Sequence, residues 1–95
     1  MKSVDFEING KYVNGIEIPL PKAPLVLASG KDGFVMCGYL NVEVADKLGV
    51  AAAMVRGVST VNDLLEAKVQ SFTKAAALKG VTAGMTGRDA LAKLL

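Results

Sequence analysis

Three places in the sequence carry residue types that can do chemistry. Cys37, the only cysteine, lies in the apolar run GFVMCGYL at residues 33–40. A thiolate there would be a nucleophile, but a cysteine attacks readily only when a cation, a helix N-terminus or a histidine base lowers its pKa. Met36 and Gly38 supply none of these, so the local sequence reads Cys37 as packing. Catalysis stays open if Arg56 or Arg88 reaches the thiol through the fold, and Gly38 leaves space beside it for such an approach. The second place is Arg56-Gly57, which interrupts the otherwise apolar residues 50–58 where a buried strand meets a loop. Open α/β sheets bind ligands at such strand ends. The third is GMTGRD at residues 84–89, where Thr86 and Gly87 open a helix and present amides and the positive end of its dipole to an anion. Arg88 stands at the end of the dipole that disfavours a cation, so it either pairs with a carboxylate such as Asp89 or helps to hold a negative ligand. The run lacks the Lys-Ser/Thr and the glycine spacing of a P-loop. Cys37 is therefore the catalytic candidate, and Arg56, Thr86, Gly87 and Arg88 are the candidates for holding a small anion. Each has a plainer alternative as core, solvated charge or helix cap.

Composition removes many other chemistries. With one cysteine and no histidine, one protomer holds no internal disulfide, no Cys/His metal site and no Ser-His-Asp triad, and nothing implies a cofactor. The net charge is +2, and the 11 basic residues are scattered singly from Lys2 to Lys93, without the clustering that nucleic-acid binding needs. Charged residues at 31–32, 46–47 and 56 break every apolar run well short of a membrane span. The N-terminal MKSVD does not read as a signal peptide, which places the chain in the cytoplasm. At 95 residues it is one domain. A chain of this size buries only about 60–65% of its unfolded surface, yet 52% of its residues are hydrophobic, and that surplus points to a homo-oligomer.

The elements that must position the candidates follow from periodicity. Val4, Phe6 and Ile8 alternate with polar residues, Asn9-Gly10 supplies a turn, and Ile16, Ile18 and Leu20 alternate again, so residues 1–21 read as a β-ribbon whose prolines mark an edge strand. A lone ribbon is marginal and must pack on something, for which another subunit is a good candidate. Residues 22–95 form the core. Leu25 to Ala28 and Phe34 to Tyr39 read as a central hairpin apolar on both faces, Asn41 as the cap of a short helix ending at Gly49, and residues 50–55 as a buried strand, with a helix left open by their three alanines. Thr60 with Asp63, and Thr86 with Asp89, are capping pairs. Val69, Phe72 and Ala76 have the spacing of a helix ending near Gly80, and residues 81–83 fit one short strand. The fold class is α+β, one small mixed domain with helices packed on the sheet.

GFVMCGYLNVEVADKLG, RGVSTVNDLL and GVTAGMTGRDALAKLL, in that order, resemble the YunC-like family, a domain of unknown function. The resemblance runs from about Pro19 onward and is most specific in MCGYL and GMTGRDAL; the ribbon matches only in pattern. It implies a small mixed α/β fold with an N-terminal β region that serves oligomerisation, and it points toward a tetramer over a dimer or trimer. It assigns no activity and no catalytic residue. Three functions remain: a binding module for a small anionic metabolite, an enzyme using Cys37 as nucleophile, and a purely structural oligomer.

Overall fold

Alternation and turn chemistry build the first third of the chain. In the computed structural model, which describes residues 1–95, β1 (Lys2–Ile8) and β2 (Lys11–Ile18) form an antiparallel hairpin. Asn9 and Gly10 both take positive φ, 54° and 78°, as a two-residue hairpin turn of the right twist requires. β3 (Leu25–Ser29) and β4 (Gly33–Met36) follow as a second hairpin. The chain then crosses through α1 (Val42–Lys47) to β5 (Ala51–Met54), which pairs parallel with β4. The remaining elements are α2 (Val61–Glu66), β6 (Ser71–Phe72), α3 (Lys74–Leu78) and α4 (Gly87–Ala92). One six-stranded sheet runs in the order β1-β2-β3-β4-β5-β6, antiparallel except at β4–β5, so the domain is α+β.

Period-2 alternation sends the side chains to two unlike faces. Val13, Val26, Ala28, Val35, Ala53 and Val55 meet Val61, Leu64 and Leu65 of α2 and Ala90, Leu91 and Leu94 near the C-terminus in a core of 19 buried residues. The other face buries only Met36, Ala45, Ala52 and Met54, under α1. Ile16 and Leu27, in register with Met36, are half-buried there.

Several expectations are corrected. β2 is not an edge strand: it pairs with β1 and β3, and its prolines follow the strand end instead of marking an edge. The ribbon packs first on its own chain, because the β2–β3 pairing extends the core sheet. The helix expected across Val69, Phe72 and Ala76 is divided. Gln70 N–H donates to Met54 O (2.8 Å) and Thr73 N–H to Ala52 O (3.0 Å), so the exposed edge of β5 captures this backbone as β6 before α3 begins. Thr73, 1% exposed, then locks the junction, its hydroxyl donating to Val50 O (2.7 Å) and accepting from Ala52 N–H (3.1 Å) and Ala76 N–H (3.2 Å). Residues 81–83 form no strand. β4 ends at Met36, so Cys37 lies just beyond the strand and not within it.

Candidate functional site

The single parallel pair has one pair of carboxyl ends, and two candidate residues are there. Cys37 follows β4 and Arg56 follows β5, but they face opposite ways. Cys37 is 4% exposed within the larger core, its amide donating to Val26 O (3.0 Å) and its Sγ accepting from Val26 N–H (3.3 Å). The thiol is thus tied to β3 among apolar side chains. Arg56 continues the alternation of Met54 toward the α1 face and is exposed. It lines a groove of about 400 Å³ with Gly38, Tyr39, Leu40, Asn41, Val42, Glu43, Met54 and Ser71. A Cβ on Gly38 would meet only Arg56 Cγ, at 3.8 Å, so the glycine keeps the floor beside the arginine stem open. Asn41 Oδ1 accepts from Glu43 N–H (2.8 Å) and Val44 N–H (3.4 Å), which fixes the start of α1. Tyr39 OH donates to Ala23 O (2.9 Å) and holds its half-exposed ring at the rim. Arg56 makes no ion pair; the single one in the molecule joins Lys79 and Asp32 at 4.0 Å.

Thr86, Gly87 and Arg88 lie elsewhere. Thr86 Oγ1 caps α4 by accepting from Asp89 N–H (3.1 Å), as its spacing predicts. The Gly87 amide, expected to face an anion, donates instead to Ala67 O (2.7 Å). Gly87 is buried, and a Cβ there would overlap the Leu64 carbonyl oxygen, so the glycine serves the close approach of α4 to α2. Arg88 is exposed on a helix that packs against the sheet face opposite α1. The structure therefore does not bring Arg88 and Arg56 together.

Sequence reading missed two other polar features. On the exposed β1–β2 face, Asp5 Oδ1 accepts from Tyr12 OH (2.8 Å) and from Asn14 Nδ2 (2.8 Å). The bonds from Asn14 and Tyr12 lower the Asp5 pKa, and the bond to Asp5 raises that of Tyr12. A cleft of about 650 Å³ lies beside this network, lined by Lys11, Tyr12, Asn14, Ser29 and Lys31 among others. It is larger than the Arg56 groove but includes no arginine. Only the β1–β2 register, which sets Asp5 opposite Asn14, could have revealed the network from sequence.

Residues 36–94 match the family model described as a domain of unknown function, DUF1805. The chain is 35% identical over 92 residues to the uncharacterized protein YunC of Bacillus subtilis (strain 168), covering 93% of this chain and 91% of YunC. The crystal structure of TA1206, a protein of unknown function from Thermoplasma acidophilum, has a TM-score of 0.95 at 37% identity, covering 99% of this chain and 92% of that one. The likeness to both relatives extends through the β1–β2 ribbon, which the quoted motifs did not reach.

Proposed function

The chain belongs to the family of the DUF1805 domain, and from the geometry that its fold creates we propose that it is a binding module for a small anionic metabolite held at Arg56. The observation that carries this reading is an arginine without an ion-pair partner, set in a groove at the carboxyl ends of the one parallel strand pair. Ligands of parallel strands bind at that end because loops diverge there around a crossover helix. A guanidinium offers a planar fork of donors that matches carboxylate or phosphate oxygens. The enzyme reading is weaker, because Cys37 is packed on the other face, out of the groove where Arg56 lies.

Thermal unfolding in the presence of phosphate, sulfate and small carboxylates tests the proposal. A ligand that binds the native state raises Tm with concentration. Charge-assisted contacts are worth roughly 1.5–3 kcal/mol, so Arg56→Ala should weaken the effective anion by about tenfold or more. No stabilisation of the wild type, or stabilisation that survives Arg56→Ala, overturns the reading.

A second reading, self-association, concerns the whole molecule and accompanies the first. The sheet face under α1 is covered only in part, leaving Ile16 and Leu27 half-buried, and α1 carries exposed apolar side chains of its own, Val44 at 53% and, just after the helix, Leu48 at 73%. We read this face as a contact between copies of the chain.

A further inference from the structure

The groove at Arg56 holds a second unpaired charge. Glu43 lines it too, and the two do not form an ion pair with each other. An acidic residue in the first turn of α1 is favoured by the helix dipole, but nothing in that role requires it to share a groove with an arginine. A ligand that is only an anion would be attracted by Arg56 and repelled by Glu43. A ligand carrying both charges would satisfy both. Leu40, Val42 and Met54 supply the apolar part of a lining that is otherwise polar, and the Tyr39 hydroxyl is tethered to Ala23 O.

Resting on the reading that Arg56 binds an anion, we propose that the ligand is a zwitterion of the amino-acid class with an apolar side chain. Arg56 receives the carboxylate, Glu43 receives the ammonium group, and the side chain lies against Leu40, Val42 and Met54. Opposite charges placed in one site select a partner by rejecting ligands that leave one of them unpaired.

Three probes of one shape separate the possibilities: leucine, 4-methylpentanoate, which lacks the ammonium, and 3-methylbutylamine, which lacks the carboxylate. Calorimetric titration of the wild type, Glu43→Gln and Arg56→Ala decides between them. Leucine should bind the wild type about tenfold or more tightly than 4-methylpentanoate, the worth of one charge-assisted contact. Glu43→Gln, on an exposed position, should fold like the wild type by circular dichroism, melt only slightly lower for the lost dipole interaction, and reduce leucine to the level of 4-methylpentanoate. Arg56→Ala should abolish binding of both. If 4-methylpentanoate binds as well as leucine, or Glu43→Gln leaves leucine unchanged, the zwitterion proposal is overturned while the anion site at Arg56 stands. 3-Methylbutylamine, with no carboxylate for Arg56, should bind at least about tenfold more weakly than leucine, and binding equal to leucine's overturns the zwitterion proposal. If none of the three probes binds, the zwitterion proposal falls, and if no other anion stabilises the protein the anion site at Arg56 falls with it.

Discussion

At the scale of single residues, environment decides reactivity more than residue type does. Cys37 has the element of a nucleophile and the surroundings of a core side chain: 4% exposed, with its sulfur accepting from Val26 N–H. Alkylation needs the sulfur within reach of the reagent, and this sulfur is packed among apolar side chains. Iodoacetamide near pH 7 should therefore leave Cys37 unlabelled in the folded protein and label it fully in denaturant, as mass spectrometry would read. Rapid labelling of the native protein would show the burial to be breached and return Cys37 to the catalytic candidates. The burial of Cys37 was legible in the sequence, since its flanking residues are apolar. The role of Gly87 was not. A glycine that opens a helix looks the same in sequence whether its amide awaits an anion or, as here, donates to Ala67 O.

At the scale of elements, the junction of β5, β6 and α3 depends on one hydroxyl. Thr73 meets Val50 O, Ala52 N–H and Ala76 N–H at once and is buried. Replacing it with valine preserves the shape and strands a buried amide and a carbonyl while removing a helix cap. The buried Ala52 amide left unsatisfied costs about 1–3 kcal/mol and the lost cap about 1 kcal/mol, while the part-buried Val50 carbonyl can turn to water, so Thr73→Val should destabilise by about 2–4 kcal/mol in urea unfolding. Thr73→Ser, which retains the hydroxyl, should recover most of that. A valine variant as stable as the wild type would mean that water or backbone shifts satisfy these groups. The helix expected through this segment failed for a related reason. Val69, Phe72 and Ala76 do fall at helical spacing, but Val69 and Ala76 reach the core from opposite sides of a short strand.

At the scale of the whole molecule, the two sheet faces are unequal. Three helices contribute to the larger core and one helix covers the other face. Residues half-buried in a single copy, such as Ile16 and Leu27, gain burial if a second copy covers them, at about 25 cal/mol for each Å² removed from water. Light scattering at micromolar concentration should give a mass that is a multiple of the protomer, and Ile16→Glu should shift it toward the monomer while leaving the fold intact by circular dichroism. A monodisperse wild-type monomer would sink the self-association reading.

What the sequence determined by itself was local. The Asn9-Gly10 turn, the alternation of β1 and β2, the doubly apolar hairpin of β3 and β4 and the caps at Asn41, Thr60 and Thr86 all follow from backbone preferences and burial periods within a few residues of chain. The three alanines of Ala51–Met54 suit a helix as well as the strand they form, so that choice was not local. The tertiary structure decided what depends on partners distant in sequence. It joined β2 to β3 and turned an apparent edge into an interior strand, pulled residues 70–73 onto the edge of β5, and committed the Gly87 amide to Ala67 O, just after α2. It also put Arg56 and Glu43 in one groove while setting Arg88 on the far side of the sheet. These outcomes rest on which backbone donor finds which acceptor and on which face a side chain emerges. A shift of one residue in register reverses that face, and the pairings of residues 70–73 with β5 and of Gly87 with Ala67 join backbone groups that local periodicity does not relate.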